Sequence, residues 1–288
     1  MKNKNNISRD AAIEANIYVH SSIVTQYDNE PHFRPENQTK VKNRLNELIN
    51  ELPQSKNLRL LDFGCGTGFI INLIKERFHR VDGVDVTQAM LDRIDTSNGN
   101  IYLHRGPAEQ TPFDDSVFDM TTAYSFMDHL VDYKELLREA YRVLKPGGIF
   151  YIDLNPNRKF WQALQRIEAS KEETHPFVRD EVYAAIHNDE RVSEQYNIDK
   201  EKLIMAEPEK TQASGFNADE VLASAREAGF SKVNVRHHWY LAQAKVMHQQ
   251  SFQTANDIDE HLQRLLPLTD HLYKYLEFVF VKQQELIE

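Results

Sequence analysis

The chain has 288 residues, 41% of them hydrophobic, which is enough for one large domain with a sizeable core. Its 34 Lys and Arg against 44 Asp and Glu give a formal net charge of -10, a balance that disfavours a partner with a phosphate backbone. No apolar run approaches the length that spans a bilayer, so a membrane protein is not expected. The single cysteine, Cys65, excludes an internal disulfide and indicates a cytoplasmic protein.

Residues 8–52 are predicted to form two helical stretches. Ile13, Ile17 and Val24 give the first stretch an apolar face, and apolar residues between 41 and 52 give the second one another. The segment 30–35 contains two prolines and separates the two stretches.

Residues 58–70 carry the most informative pattern in the chain. An apolar run predicts a buried strand of a parallel sheet, and Gly64, Gly66 and Gly68 follow at alternate positions. Glycine permits positive φ and lets a ligand lie against the backbone. A strand that turns through glycines into a helix is typical of a site for a nucleotide-like cofactor. Phe69 stands where the last glycine of a dinucleotide fingerprint would fall, so that fingerprint is not matched.

The next predicted strand, residues 80–86, brings in an acidic residue. Asp85 lies about 20 residues past the glycines, where a carboxylate can accept hydrogen bonds from both ribose hydroxyls. Residues 116–125 are predicted as a fourth strand, and 135–150 as a helix, a Pro-Gly-Gly turn and the start of a fifth strand. This alternation implies a parallel sheet with helices on both faces.

The pattern changes after residue 153. Residues 155–214 are predicted to be a helical insertion. Asn217 is predicted to cap a further helix, with Glu220 completing a capping box and Gly229 ending the helix. The remaining predicted elements are a strand over 231–241, a second helical insertion over 246–266 and a last strand over 276–281.

Four motifs in this order resemble those of the class I S-adenosylmethionine (SAM)-dependent methyltransferases. They are the glycine turn preceded by Asp62, the acid Asp85, the loop 105–113, and the strand that begins Phe118-Asp119. The resemblance runs from residue 58 to residue 153. It implies an α/β fold with a doubly wound, seven-stranded, mostly parallel sheet of Rossmann-like type, the last strand inserted antiparallel, and helical insertions that form a cap. It also implies SAM as the cofactor.

The resemblance further implies a domain organisation. Residues 1–53 are expected to be an N-terminal helical segment that closes over the cofactor site, and 54–155 the SAM-binding core. Residues 156–214 are expected to form a helical lid over the substrate, although a plain stabilising insertion is the alternative. Residues 215–288 complete the sheet and carry the second insertion at about 245–268.

Site residues follow from the matched motifs. Asp85 is expected to bind ribose, Ala108 and Glu109 to recognise adenine, and Met90 to touch the adenine ring. Tyr27, in a Tyr27-Asp28 pair, is expected to cover the methionine end, where an aromatic face attracts a sulfonium; plain helix packing is the alternative. The predicted cofactor-binding residues are Tyr27, Asp62, Gly64, Cys65, Gly66, Gly68, Asp85, Val86, Met90, Ala108, Glu109, Tyr124 and Ser125.

Two histidines are candidates for a general base, because histidine suits proton transfer near neutral pH. His129 lies just past the predicted fourth strand, at the sheet edge where open α/β sheets bind ligands. His238 is the second candidate; His237 and His238 alternate faces of a strand, so only one of them can point into a pocket. For each, a packing role is the alternative. No metal site is expected.

The sequence therefore predicts a SAM-dependent methyltransferase that acts on an oxygen or nitrogen of a small, partly apolar metabolite. Neither nucleic acid nor membrane is expected as a partner. A non-catalytic SAM-binding protein and a methyltransferase acting on a macromolecule are the alternatives. An NAD-dependent oxidoreductase is disfavoured by the glycine spacing and by Ala108-Glu109.

Overall fold

A single sheet organises the chain. The structure, a computed structural model, describes residues 7–27, 33–53, 55–170 and 173–284. The strands are β1 Arg59–Phe63, β2 Arg80–Asp85, β3 Ile101–Arg105, β4 Phe118–Tyr124, β5 Leu144–Pro156, β6 Phe230–Tyr240 and β7 Tyr273–Lys282. Their order is β3-β2-β1-β4-β5-β7-β6, with β1 to β5 parallel and β7 antiparallel to both β5 and β6. The predicted seven-stranded, mostly parallel fold with an antiparallel last strand is confirmed.

Helices flank both faces of this sheet and fill the two insertions. Within the described ranges they are α1 Arg9–Ile23, α2 Pro35–Glu51, α3 Phe69–Ile74, α4 Gln88–Leu91, α5 Tyr133–Val143, α6 Arg158–Ser170, α7 Pro176–Ile186, α8 Asn188–Tyr196, α9 Lys200–Ala206, α10 Pro208–Ala213, α11 Ala218–Ala228, α12 Gln243–Gln249 and α13 Phe252–Arg264. No helix among the described residues is long and apolar enough to cross a membrane.

The sheet separates two hydrophobic cores. Because side chains alternate along a strand, Leu61 and Phe63 of β1 enter one core with Leu136 of α5, while Leu60 enters the other with Leu45 of α2. The chain leaves β1 toward β2 on one side and reaches β4 on the other. The carboxyl ends of β1 and β4 therefore mark the switch point at which open α/β sheets bind ligands.

The ends of α11 agree with its sequence signals. The Asn217 side chain accepts hydrogen bonds from the amides of Asp219 and Glu220 at 2.9 and 3.2 Å, and Gly229 ends the helix at φ +112°. The Glu220 carboxylate is held by Arg158 Nη1 at 2.9 Å. The cap is thus confirmed, but the Glu220 side chain is used to join α11 to α6 rather than to complete a capping box.

The buried face of the N-terminal helix differs from the prediction. α1 buries Ala12, Ala15 and Val19, whereas Ile13 and Ile17 are only half-buried. The small side chains let α1 pack closely on α9, which the predicted apolar face did not anticipate. The second helical insertion consists of two helices, α12 and α13.

Candidate functional site

The turn after β1 presents backbone rather than side chains to its surroundings. Gly64 and Gly66 have φ of +62° and +51°, in the left-handed region that favours glycine. A Cβ at Gly66 would meet only Tyr27, at 3.9 Å, so the space above the turn is open. A ligand can therefore approach the main chain here.

Asp85, the last residue of β2, ties the turn to the next strand end. Its Oδ2 accepts a hydrogen bond from the Gly66 amide at 3.0 Å, and its Oδ1 accepts one from the Thr87 amide at 2.8 Å. A carboxylate offers about four lone-pair positions, so roughly two remain available. Asp85 can thus fix the turn and accept further hydrogen bonds from a ligand.

Asp62 and Cys65 lie beneath the turn and are buried. Thr122 Oγ1 donates to Asp62 Oδ1 at 2.6 Å, and burial raises the pKa of the Asp62 carboxyl to about 7. Burial also raises the pKa of the Cys65 thiol. The thiol therefore stays protonated near neutral pH, and its small size, not its reactivity, suits this position.

A cavity of about 700 Å³, which we call the glycine-turn cavity, lies above the turn. Most of the predicted cofactor-binding residues line it: Tyr27, Gly64, Gly66, Asp85, Val86, Met90, Ala108, Glu109 and Ser125. Their assignment to a bound molecule stays a prediction. Asp28, the partner of Tyr27 in the predicted pair, lies outside the described residues.

The other four predicted residues, Asp62, Cys65, Gly68 and Tyr124, do not line this cavity. Gly68 caps the start of α3 at φ +84°. The Tyr124 hydroxyl accepts a hydrogen bond from Asn37 Nδ2 at 2.7 Å, on the α2 side of the sheet. These residues lie on the side of the turn away from the cavity. Successive side chains of a strand point to opposite faces of the sheet, and the tight turn directs the others away from the open space.

Helix α1 covers the glycine-turn cavity with Arg9, Asn16 and His20, none of which was among the predicted site residues. Arg9 Nε lies 3.4 Å from Glu109 Oε1. Residues 9, 16 and 20 are separated by seven and four positions, which places them on one helix face. This polar stripe on one helix face is the sequence signal that could have identified these three residues as part of the site.

A second and larger cavity, about 1930 Å³ including its open side, lies between the sheet edge and the helical insertions. We call it the aromatic chamber, because rings of Phe160, Trp161, Trp239 and Tyr275 are among the residues that line it. The two cavities share four lining residues: His20, Tyr27, Ser125 and His129. They therefore meet at the carboxyl end of β4.

His129 stands at this junction with a defined tautomer. Its Nδ1 lies 2.8 Å from the carbonyl oxygen of Ala206, which can only accept, so Nδ1 carries the proton and Nε2 keeps a lone pair when the ring is neutral. His20 is oriented the same way by the Asn16 carbonyl oxygen, 3.0 Å from its Nδ1. The two ring centroids are 5.1 Å apart. Burial, with a smaller contribution from His129, lowers the pKa of His20 to about 4.

His238 lines neither cavity, and neither does His237. His238 Nε2 is 3.1 Å from Glu277 Oε2, and Arg44 Nε donates to Glu277 Oε1 at 2.9 Å. The pairing of β6 with β7 directs His238 to this ionic group instead of the predicted pocket. The geometry therefore gives no support to His238 as a base.

The same group contains three residues whose ligand atoms lie within 4.8 Å of one another, Asp153, His238 and Glu277. Arg44 already pairs with Glu277, and the Tyr151 hydroxyl donates to Asp153 Oδ2 at 2.7 Å. These contacts already engage the carboxylates, so we assign the group a structural role and no metal.

Strained backbone concentrates around the aromatic chamber. Four of its lining residues, Ser125, Leu154, Trp239 and Ala242, have positive φ between +50° and +65° although none is a glycine. Such conformations cost about 1–3 kcal/mol each and cluster at functional sites. Their position at the chamber agrees with a functional cavity.

Comparison with known proteins agrees with this geometry. Residues 61–152 match the family model described as "Methyltransferase domain". A probable S-adenosylmethionine-dependent methyltransferase of Mycolicibacterium smegmatis is 25% identical over 65% of this chain and 63% of its own length. The malonyl-[acyl-carrier protein] O-methyltransferase of Serratia marcescens is 34% identical over 32% of this chain and 36% of its own. The chain thus spans less than two thirds of these relatives.

One solved structure, an S-adenosylmethionine-dependent methyltransferase from Mesorhizobium loti, matches the fold with a TM-score of 0.52 at 17% identity. The match covers 82% of this chain and 96% of that one. The matched segment 61–152 contains the carboxyl ends of β1, β2 and β4, which border the glycine-turn cavity. Residues 61–152 thus match a methyltransferase domain, and the fold is the one seen in SAM-dependent methyltransferases.

Proposed function

We propose that the protein transfers a methyl group from SAM to an oxygen or nitrogen of a small metabolite. The observation that carries this proposal is the meeting of two cavities at His20, Tyr27, Ser125 and His129. A cofactor in one cavity and an acceptor in the other would face each other there. Positioning of this kind supplies much of the acceleration of a displacement reaction.

The residues of the glycine-turn cavity fit such a cofactor. The open space above Gly66 suits a ligand that lies against the backbone, and Asp85 has acceptor capacity left for ribose hydroxyls. Met90 and Ala108 are buried and offer apolar surface for adenine, with Glu109 beside them. When bound, SAM supplies a methyl group on a sulfonium sulfur, which retains the bonding electron pair as the methyl group leaves.

His129 is the residue we assign to proton removal from the acceptor. Its Nε2 is free to accept a proton because Nδ1 donates to the Ala206 carbonyl oxygen. Neutral His20, whose ring centroid lies 5.1 Å from that of His129, adds no competing positive charge. Tyr27 borders both cavities and offers an aromatic ring where a sulfonium is stabilised.

The helices that surround the aromatic chamber define the expected acceptor. α6 to α9 contribute residues to its lining, so we propose that residues 156–214 act as the substrate lid and residues 1–53 as the cover of the cofactor site. A cavity lined by aromatic rings suits a small molecule, and the net charge of -10 disfavours nucleic acid. The one cysteine, buried and protonated, agrees with a cytoplasmic setting.

Calorimetric titration with SAM and, separately, with NAD tests this proposal. We expect binding of SAM and none of NAD. The purified protein is then incubated with SAM and an acceptor library while S-adenosylhomocysteine is measured. Failure to bind SAM would contradict the proposal outright, whereas binding without turnover across the library would favour a non-catalytic SAM-binding protein.

A further inference from the structure

Lys274 of β7 is a cation of the aromatic chamber without a carboxylate partner. Its Nζ lies 5.9 Å from the ring centroid of Trp161 and 5.2 Å from that of Tyr275, and all three residues line the chamber. Within the described ranges, no Asp or Glu oxygen comes within ion-pair distance of it. Lys274 is half-buried, and an ammonium group held over aromatic rings by cation–π contacts keeps its positive charge available to a ligand anion.

The acidic side chains that line the chamber form ion pairs with other residues or are disfavoured as anions by burial. Glu207 pairs with Lys210, which also lies 3.3 Å from Asp189. Glu181 pairs with Lys245 at 3.1 Å. Asp128 is buried, and burial raises the pKa of its carboxyl, so its charge is disfavoured. The chamber therefore offers a free positive charge and no free negative one of comparable access.

The basic side chains that line the chamber differ from one another in the partners that they have. Lys210 is neutralised by two acids, and Arg191 donates to the side-chain oxygens of Asn188 and Gln195 at 2.8 and 3.1 Å. Among the described residues, the Lys274 ammonium contacts the rings of Trp161 and Tyr275 and no carboxylate. It stands on the sheet wall beside Tyr275, so it can reach a ligand that lies flat on the chamber rings.

We propose that the aromatic chamber binds an aromatic carboxylate, with Lys274 holding the carboxylate and Trp161 and Trp239 contacting the ring. This inference rests on the proposed function, in which the chamber holds the methyl acceptor, and it names the class of that acceptor. The methyl-accepting hydroxyl or amine of such a molecule extends toward His129, at the junction of the cavities. The positive charge of Lys274 disfavours a cationic acceptor, and a neutral acceptor does not form an ion pair with it.

Binding can be measured without turnover. The chain has two tryptophans, and both line the chamber, so intrinsic fluorescence reports on its occupancy. The probes are 4-hydroxybenzoate and 4-hydroxyphenylacetate, each compared with its primary amide. We expect each acid to bind about tenfold or more tightly than its amide, as a charge-assisted hydrogen bond would give.

Lys274→Gln should remove this preference, and Lys274→Arg should keep it. Lys134→Gln, at an exposed position of α5, is the matched control and should leave it unchanged. Equal binding of acid and amide by the unaltered protein would overturn the inference, and so would a preference that persists in a folded Lys274→Gln variant. If that variant does not fold, Lys274→Met, which removes the charge and keeps most of the side-chain length, should likewise abolish the preference.

The two proposals fail in different ways. Selective binding of the acids without any methyl transfer from SAM would sink the proposed function and leave the carboxylate site standing. SAM-dependent methylation of neutral aromatic acceptors, with no preference for the acids, would do the reverse.

Discussion

Asn16 and His129 donate hydrogen bonds to the same carbonyl oxygen, that of Ala206 at the end of α9. The distances are 3.1 Å from Asn16 Nδ2 and 2.8 Å from His129 Nδ1. The second hydrogen of the Asn16 amide is also used, since Nδ2 donates to the Ala12 carbonyl oxygen at 2.9 Å. One peptide group thus joins the N-terminal helix, the lid and the proposed base.

This shared acceptor predicts energetic coupling between two residues that are distant in sequence. Either donor alone can satisfy the Ala206 oxygen, so Asn16→Leu combined with His129→Phe should cost more stability than the sum of the single changes. We expect an excess of about 0.5–1 kcal/mol in the free energy of unfolding, measured with urea. Asn16→Leu combined with His248→Phe, at an exposed position, should be additive. An additive result for the first pair would refute the coupling.

Replacing the proposed base should separate binding from turnover. His129→Ala removes the proton acceptor at the junction of the cavities, and we expect the rate of methyl transfer to fall roughly 100-fold or more. SAM affinity, measured by calorimetry, should change little. His248→Ala should leave both quantities unchanged. A joint loss of affinity and rate would point to a packing role for His129 instead.

Asp85 should contribute to SAM binding through its remaining lone pairs. Asp85→Ala removes the proposed ribose contacts and the acceptor for the Gly66 and Thr87 amides. We expect SAM binding to weaken by about 2 kcal/mol, or about 30-fold, in calorimetric titration. Asp92→Ala, exposed at the end of α4, provides the control. Wild-type affinity in Asp85→Ala would refute the assignment.

Buried His20 predicts a pH dependence of stability. Its pKa is about 4 in the folded protein and 6.5 as the unperturbed value, so between these values the unfolded state binds more protons. The stability that neutral His20 contributes to the folded state is therefore fully present above about pH 6.5 and is lost as the pH falls toward 4. His20→Leu should flatten this part of the stability curve, measured by urea unfolding at several pH values.

The matched control for that experiment is His79→Leu, since His79 is exposed. It should keep the wild-type dependence of stability on pH. An unchanged pH dependence in His20→Leu would contradict the burial argument.

Asp62 affects stability with the opposite sign. Its pKa is raised from 3.8 to about 7, so the stability it contributes is present at low pH and lost as the pH rises through 7. Asp62→Asn should therefore gain stability relative to wild type above pH 7.

Residues within one short motif were predictable, and residues brought in by distant segments were not. Gly64, Gly66 and Asp85 are fixed by strand, turn and strand geometry that the local sequence encodes, and they line one cavity. Arg9 and Asn16 reach that cavity only because α1 packs on α9, a contact between segments about 190 residues apart. Local periodicity carries no information about such docking.

His238 is a residue whose predicted place in a pocket was wrong, because its contacts depend on a distant strand. Its place in the sequence, near the end of a strand and before Trp239 and Tyr240, is compatible with a pocket. Only the pairing of β6 with β7, which sets His238 opposite Tyr275, reveals that the diagonal neighbour Glu277 engages it. A cross-strand partner with a sequence separation of 39 cannot be read from alternation along one strand.

Helix α1 lines both cavities, with Arg9 and Asn16 in one and Val19 and Ile23 in the other. A rigid displacement of this helix therefore unseals the two cavities in a single movement. Exchange of the spent cofactor and release of the methylated product then both depend on the same movement of the N-terminal helix, and not on a change at the glycine turn.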